Sequence, residues 1–224
     1  PIYDIREFRF RLEDDAEFLP GQFAMLDLPS LASSRAYSLS NTANEKREWH
    51  FQIRRVANGQ GTQVLFEQLT EGDEIGLDGP YGTAYLRTDS PRDMVCVAGG
   101  SGLAPMISIS RGAVEAGLLV GKKLYFFYGA RTPRDVCGEE MLRVLAGFGE
   151  QIVYVPVVSV PGDKGEWGGE TGFVHDAVVR TLPRELVNYE FYFAGPPPMT
   201  QAFQELLMLS HQVPFEQIHF DRFF

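Results

Sequence analysis

The chain has 224 residues, 44% of them hydrophobic, which is enough apolar material for one large domain or two ordinary ones. A formal net charge of −10 argues against nucleic acid and anionic membranes as partners, and no apolar run approaches the roughly 20 residues of a membrane helix. Two cysteines are too few for a disulfide framework or an iron–sulfur cluster, and the four histidines lack ligand spacing, so we expect a cytoplasmic protein without a metal site.

Residues 1–90 show short alternating segments separated by turn residues, a pattern typical of antiparallel strands. The segment Thr62–Leu69 differs, since its apolar positions follow the spacing of one short helix. Five or six strands at this spacing predict a small antiparallel β-barrel. The predicted strands are Ile5–Leu12, Phe23–Leu28, Arg35–Leu39, Trp49–Val56 and Glu74–Leu77.

At Ser90-Pro91 the pattern changes to apolar strands that alternate with amphipathic helices. Such strands are typical of a parallel sheet that helices cover on both faces. We therefore predict two domains, a barrel over residues 1–90 and a doubly wound nucleotide-binding domain over residues 91–224. The predicted strands are Met94–Ala98, Leu124–Tyr128, Ile152–Val158, Phe191–Ala194 and Ile218–Phe220, and the predicted helices are Ala104–Ala116, Glu139–Phe148, Val174–Leu182 and Met199–Ser210.

Three side chains of the predicted strand 35–39 have the chemistry of a cofactor site. Arg35 offers a forked donor to a diphosphate, Tyr37 a ring that stacks on a flat group, and Ser38 a hydroxyl donor. Alternation places Arg35 and Tyr37 on one face of the strand and Ser38 on the other. An edge strand with a solvated arginine and a half-buried tyrosine explains the same residues, and for these residues alone it is the stronger alternative.

A glycine turn, Gly59-Gln60-Gly61-Thr62, leads into the short helix. Backbone N–H groups in such a turn, together with a helix N-terminus, suit an anion. Thr62 serves equally well as an ordinary helix cap.

Two loops in the second half follow predicted strands. Gly99-Gly100-Ser101-Gly102 joins a strand to a helix that has Pro105 in its first turn, and its glycines let backbone N–H groups approach a pyrophosphate. The second loop, Gly195–Met199, is stiffened by three prolines and lies at the edge where open α/β sheets bind ligands. An ordinary tight turn and a stiff connector are the respective alternatives.

The order of these motifs is more specific than any one of them. Together they resemble the ferredoxin–NADP⁺ reductase superfamily over the whole chain, and within it the reductase components of bacterial multicomponent aromatic-ring oxygenases, of the toluene and phenol monooxygenase type. The motifs are R-x-Y-S at residues 35–38, G-x-G-T at 59–62, G-P-Y-G at 79–82, G-G-S-G-L-A-P at 99–105, A-G-P-P-P-M at 194–199 and a terminal aromatic residue.

This resemblance implies that FAD and NADH are the cofactors. It places the flavin diphosphate on Arg35, the isoalloxazine ring against Tyr37, and the ring's N5 edge near Ser38. The FAD pyrophosphate is expected on the backbone of Gly59, Gly61 and Thr62. The residues expected to bracket the nicotinamide nucleotide are Gly99, Gly100, Gly102, Pro105, Gly195, Pro196, Pro197 and Met199.

The resemblance also implies that a C-terminal aromatic residue covers the other flavin face, and we favour Phe220 over Phe223 and Phe224. Two positions depart from the family. Ala194 stands where the family often has a cysteine near the hydride path, and Asp221 stands where many members have a glutamate near N5. We infer that the cofactors supply the hydride chemistry and that the protein mainly positions them.

The segment 128–135 resembles the NADH-using branch of the family. An acid such as Asp135 near the adenosine ribose favours a 2′-hydroxyl over a 2′-phosphate, whereas Arg131 and Arg134 suit the phosphate. Capping of a helix start explains Asp135 equally well.

The resemblance therefore implies a reductase that takes a hydride from NADH onto FAD and passes single electrons to a [2Fe–2S] centre outside this chain. The expected partners are a [2Fe–2S] ferredoxin domain before residue 1, or a Rieske or ferredoxin protein, together with an oxygenase component. The alternatives are a stand-alone NAD(P)H–flavin or ferredoxin reductase of the same superfamily, and a flavin- or nucleotide-binding subunit without turnover.

Overall fold

The N-terminal half forms two small antiparallel sheets in the computed structural model, which describes residues 5–13, 16–162 and 167–221. One sheet has two strands and the other has three, and an isolated bridge between Leu39 and Phe51 joins them. The first sheet pairs β1 with β4, and the second has the order β3-β2-β5. The strands are β1 (Ile5–Arg11), β2 (Phe23–Asp27), β3 (Arg35–Ser38), β4 (Glu48–Arg54) and β5 (Gly76–Tyr81).

Strict alternation in β4 shows how these sheets build one core. Trp49, Phe51 and Ile53 are buried, while their neighbours along the strand are more exposed. These side chains pack with Leu26 and Leu65 in one apolar cluster. Leu65 comes from a π-helical turn, Val64–Gln68, that continues α1 (Gln60–Gln63). The predicted antiparallel barrel is confirmed as two sheets around a single core.

The C-terminal half forms one parallel sheet of six strands in the order β11-β10-β6-β7-β8-β9. Every residue of β6 and β10 is buried, as expected for central strands covered on both faces. The strands are β6 (Asp93–Gly99), β7 (Leu124–Ala130), β8 (Ile152–Val158), β9 (Glu170–Thr171), β10 (Tyr189–Ala194) and β11 (Ile218–His219), and the helices are α2 (Leu103–Glu115), α3 (Glu139–Arg143), α4 (Val174–Thr181) and α5 (Pro197–Glu205).

Helices cover both faces of this sheet. On one face α2 and α3 bury Ile107 and Leu142 against Phe126. On the other face α4 and α5 bury Val178 and Phe203 in a second apolar cluster. The predicted doubly wound parallel sheet is therefore confirmed.

Element ends differ from the predicted ones by a few residues in several places, and three differences are the largest. The helix predicted to reach Phe148 ends at Arg143, because Gly147 and Gly149 adopt left-handed backbone angles that break a helix. Strand β5 lies later than predicted and runs into the G-P-Y-G turn. The two-residue strand β9 was missed, since so short a segment has no periodicity.

A buried acid–histidine pair anchors the last strand. Glu190 Oε1 lies 2.6 Å from His219 Nε2, while its Oε2 accepts hydrogen bonds from Ser90 (2.7 Å) and Arg92 (3.3 Å). Burial raises the pKa of Glu190, but these hydrogen bonds and positive charges outweigh it and the pKa is lowered. The carboxylate therefore ties β11 and the segment before β6 to the centre of the sheet.

We expect Glu190→Gln to lower the free energy of unfolding by about 2 kcal/mol at neutral pH. Because folding lowers this pKa, the carboxylate contributes stability above the pKa of the unfolded group, about 4.3, and that contribution is lost as the pH falls through the folded value. Denaturant unfolding as a function of pH checks this, with the exposed Glu216→Gln as the control. If the free energy of unfolding differed by the same amount between wild type and Glu190→Gln at every pH, the stabilising role of the ionised Glu190 carboxylate would be contradicted.

Candidate functional site at the junction of the two halves

Two glycine-containing loops meet at the carboxyl edge of the parallel sheet. Strands β6 and β10 are neighbours, and the chain leaves them toward opposite ends of the strand order, which makes this the topological switch point. A Cβ added at Gly102 would overlap the carbonyl group of Ala194 and lie 2.7 Å from the Gly195 nitrogen. A Cβ at Gly99 would lie 2.7 Å from Met199 Sδ. Both predicted nucleotide loops therefore pack backbone against backbone.

A cavity of about 580 Å³ lies between these loops and the N-terminal half. Its volume falls within the range of small-molecule sites, roughly 300–1,000 Å³. The structure thus brings together most of the predicted flavin residues and part of both loops. The lining residues among those predicted are Arg35, Tyr37, Ser38, Gly59, Gly61, Thr62, Gly102, Gly195, Pro196 and Pro197.

The strand β3 forms one wall of this cavity. Arg35, Tyr37 and Ser38 all line it, although alternation predicts that Ser38 points to the opposite face. The physical reason is that β3 is an edge strand of its sheet, so its free edge borders this space.

The ring of Tyr37 depends on a glycine opposite it. A Cβ at Gly61 would lie 2.8 Å from Tyr37 Oη and 3.3 Å from Arg35 Cγ, so only a glycine leaves room for both side chains. Burial raises the pKa of the Tyr37 phenol, against the opposing charge of Arg35, and the phenol stays neutral at physiological pH. The wall therefore presents a neutral aromatic ring beside a cation.

The guanidinium of Arg35 binds only neutral oxygens among the described residues. It donates to the carbonyl of Ser33 (2.8 Å), to Ser33 Oγ (2.6 Å) and to the carbonyl of Ser34 (3.2 Å). No carboxylate of a described residue forms an ion pair with it. Its charge is therefore available to an anion in the cavity.

Thr62 has a structural role in the neighbouring turn. Its hydroxyl accepts from the Val56 N–H (3.2 Å) and contacts the carbonyls of Val56 (3.2 Å) and Gly59 (3.1 Å). Gly59 occupies the helix cap position, and no side chain caps α1. Thr62 therefore does not cap α1 but closes the turn from Val56 to Gly59. Gly59 and Gly61, at this turn, line the cavity.

Sequence reasoning missed Arg54, at the end of β4. Its side chain lines the cavity, and its Nη1 lies 3.5 Å from the position of a Cβ on Gly100 in the opposite half. The described residues provide no hydrogen bond or ion pair for this guanidinium. The only signal in the sequence is the pair Arg54-Arg55, and that pair does not say which side chain faces a ligand.

A second cavity, of about 340 Å³, lies on the far side of the two loops. Gly99, Arg131, Pro196 and Met199 line it, together with the exposed ring of Phe173. Asp135 does not line it. Within the described residues the Asp135 carboxylate accepts hydrogen bonds from the Thr132 N–H (3.0 Å) and hydroxyl (2.8 Å), which is the capping role that the sequence left open.

Gly100 and Pro105 line neither cavity. Gly100 adopts a left-handed backbone angle of +55° that lets the loop turn, and Pro105 is buried in the first turn of α2. Both residues therefore fix the backbone of the loop without lining either cavity.

The structure does not place Phe220 in the wall of either cavity. Its ring stacks on Phe193, with ring centroids 4.7 Å apart and planes within 10°, in the apolar cluster on the α4 and α5 side of the sheet. The preference for Phe220 as the flavin cover is therefore not supported by its position. Phe223 and Phe224, the other residues considered, lie outside the described residues.

Asp221 is bound to the first half of the chain. Its carboxylate accepts a hydrogen bond from the Thr83 N–H (3.2 Å), directly after the G-P-Y-G turn. Burial raises the pKa of Asp221, against hydrogen bonds from the Thr83 and Ala84 backbone. The residue thus docks the end of the chain onto the N-terminal half.

Comparison with known protein families covers both halves. The model of the oxidoreductase FAD-binding domain matches residues 2–85, and the model of the oxidoreductase NAD-binding domain matches residues 96–205. The chain belongs to the FAD- and NAD-binding oxidoreductases. In this oxidoreductase the 580 Å³ cavity lies where the two domains meet.

Relatives of this oxidoreductase cover nearly its whole length. The ferredoxin–NAD(P)⁺ reductase CarAd of Metapseudomonas resinovorans is 37% identical over 99% of the chain and 65% of its own length. The ferredoxin–NAD⁺ reductase component of the alkene monooxygenase system of Xanthobacter autotrophicus is 39% identical over 92% of the chain and 62% of its own length. A solved structure, the ferredoxin reductase in carbazole 1,9a-dioxygenase, superposes with a TM-score of 0.87 at 36% identity over 99% of the chain and 65% of that structure. The chain thus spans less than two thirds of these relatives.

The site fits both cofactors of this oxidoreductase. The Gly61 cradle leaves room beside a neutral ring and beside Arg35 and Arg54, which have no carboxylate partner among the described residues. This arrangement suits a flat group joined to a diphosphate. Within the described ranges, no group of three or more His, Cys, Asp or Glu side chains could hold a metal, and no helix could cross a membrane. Cys96 and Cys137 are both buried and unbonded to each other.

Proposed function

We propose that the chain takes a hydride from NADH onto FAD and passes single electrons to a [2Fe–2S] centre that supplies an oxygenase. The observation that supports this most is the shared cavity, which is bordered by the strand of Arg35, Tyr37 and Ser38 on one side and by both nucleotide loops on the other. When bound, FAD supplies the link between two-electron and one-electron chemistry, since it takes up the two electrons of a hydride together and releases them one at a time.

The protein's own part in this proposal is binding and orientation. Arg35 and the backbone of Gly59 and Gly61 bind the flavin diphosphate, and Tyr37 covers one face of the ring. Ser38 donates a hydrogen bond from its hydroxyl group to the edge of the ring. The proposal requires no side chain to act as an acid or a base. Asp221 acts by linking the segment after β11 to the G-P-Y-G turn through the Thr83 N–H.

The two loops would hold the nicotinamide nucleotide, with its adenosine half in the 340 Å³ cavity next to Arg131. NADH is the proposed donor. Asp135 would contribute by fixing the turn that follows Arg131, since its carboxylate is held in the Thr132 cap. A direct contact between Asp135 and the ribose is no longer part of the proposal.

The electron acceptor and the location belong to the same proposal. Relatives are named as ferredoxin reductase components of oxygenase systems, which supports a ferredoxin domain or protein and an oxygenase as partners. Two buried, unbonded cysteines support a cytoplasmic location. We place the domain division at Ser90-Pro91, between β5 and β6.

A coupled assay tests the acceptor. Purified chain loaded with FAD is mixed with NADH and cytochrome c, with and without a purified [2Fe–2S] ferredoxin from an oxygenase system. The proposal predicts rapid cytochrome c reduction only when the ferredoxin is present. Equal rates without ferredoxin would favour a stand-alone reductase, and absence of any flavin reduction by NADH would favour a subunit without turnover.

A further inference from the structure

One face of α2 packs against the N-terminal half from Ser108 to Glu115. Ser108, Arg111, Gly112 and Glu115 have the i, i+3, i+4, i+7 spacing of a single helix face. Each of them contacts segment 20–21 or segment 40–42 of the flavin domain, and Ser108 contacts both. The helix therefore contacts the flavin domain through hydrogen bonds as well as through apolar groups such as Ile109 and Leu86.

Ser108 lies at the centre of this face. Its hydroxyl accepts a hydrogen bond from the Gly21 N–H (3.2 Å) and donates to the carbonyl of Asn41 (2.7 Å), and the side chain is 0% exposed. It therefore closes a buried bridge between two backbone segments that are 20 residues apart in the chain. A buried N–H and a buried carbonyl would both lose their partner without this hydroxyl.

Neighbouring residues hold the helix at a fixed distance. Arg111 Nη1 donates to the carbonyl of Ser40 (2.8 Å), and Thr42 Oγ1 donates to Glu115 (3.0 Å). A Cβ added at Gly112 would lie 2.5 Å from Pro20 Cγ, so the helix backbone lies directly against the flavin domain. A side chain at position 112 would therefore force the helix and the flavin domain apart.

This contact between α2 and the flavin domain links the two halves of the site. Helix α2 directly follows the Gly99–Gly102 loop. Ser40 and Asn41 lie just after the strand Arg35–Ser38, separated from it by one residue. We propose that Ser108, assisted by Arg111, is a positioning residue that sets the distance between the nicotinamide loop and the flavin strand. This inference rests on the proposed function, because the distance matters only if both cofactors bind.

The chain offers a matched control on the same helix. Ser110 is also 0% exposed, but its hydroxyl donates to the carbonyl of Met106 (2.8 Å) within α2 and does not reach the flavin domain. Ser108→Ala and Ser110→Ala therefore remove the same atom from equally buried sites, and only the first removes the bridge between domains.

The test compares both variants with wild type, each loaded with FAD and mixed anaerobically with saturating NADH in a stopped-flow spectrometer. We expect Ser108→Ala to slow flavin reduction by about ten-fold, since a small misplacement of reacting groups has effects of this order. We also expect a weaker long-wavelength charge-transfer absorbance between nicotinamide and flavin. FAD content should stay close to that of Ser110→Ala, whereas the melting temperature should be lower, because a buried N–H and a buried carbonyl lose their partner.

Equal reduction rates and charge-transfer absorbance in the two variants would overturn the proposal, as would a rate loss fully explained by lost FAD. If Ser108→Ala does not fold, Arg111→Gln replaces it, with an expected decrease of about three-fold, and an unchanged rate overturns the proposal in that case too. Failure of the proposed function is distinguishable, because wild type itself would then not bind FAD or not be reduced by NADH.

Discussion

Replacing Gly102 with alanine is expected to slow the reduction of bound FAD by NADH by about 100-fold or more while FAD stays bound. The added Cβ would overlap the carbonyl of Ala194 and approach the Gly195 nitrogen to 2.7 Å, so the two nucleotide loops must separate. A displacement of about 1 Å at a reacting centre costs on the order of 100-fold in rate. Stopped-flow measurement of flavin absorbance, with the FAD content of each preparation, checks this.

The control for this change is Gly168→Ala, since no atom lies within 4 Å of an added Cβ at that position. It should reduce FAD at the wild-type rate. If Gly102→Ala behaves like Gly168→Ala, the close approach of the two loops has no part in nicotinamide binding.

The second large effect is expected on FAD affinity. Arg35→Met keeps most of the apolar stem but removes the guanidinium, and we expect the dissociation constant of FAD to rise by about 100-fold. Two charge-assisted hydrogen bonds to a diphosphate are worth about 1.5–3 kcal/mol each, and a tenfold change in affinity corresponds to about 1.4 kcal/mol. Titration of the apoprotein with FAD, followed by flavin fluorescence, measures the change.

Arg11→Met is the matched control, because Arg11 is also on the flavin domain but its side chain is 73% exposed and faces Glu48. Its FAD affinity should equal that of wild type. Equal affinities for Arg35→Met and Arg11→Met would remove Arg35 from the flavin site.

Periodicity predicted the fold well because burial in this chain follows simple rules. The alternation of Trp49, Phe51 and Ile53 is typical of a sheet with one buried face, and the uninterrupted apolar run of β6 is typical of a sheet covered on both faces. Element ends were less predictable. The early end of α3 depends on the left-handed angles of Gly147 and Gly149, and glycine occurs in this chain in many other conformations as well.

The site was predictable where a backbone feature defines it. Glycines at positions 61, 99 and 102 are required because other groups approach them closely, and this requirement is visible in the sequence as a motif. Side-chain direction was not predictable. Asp135 caps a turn through the nearby Thr132, but the sequence is equally compatible with a ligand contact. The Phe220 ring packs on Phe193, a neighbour that is distant in the chain. Ser108, whose partners Gly21 and Asn41 lie far along the chain, was likewise not predictable, and neither was Arg54, which lies opposite Gly100 of the other half.

The most direct test of the account is an anaerobic titration of the purified, FAD-loaded chain with NADH and, in parallel, with NADPH, while the visible flavin spectrum is recorded. The account predicts that about one equivalent of NADH bleaches the flavin completely and rapidly, and that NADPH does so more slowly. A chain that does not retain FAD, or whose bound flavin keeps its oxidised spectrum after excess NADH, would contradict it.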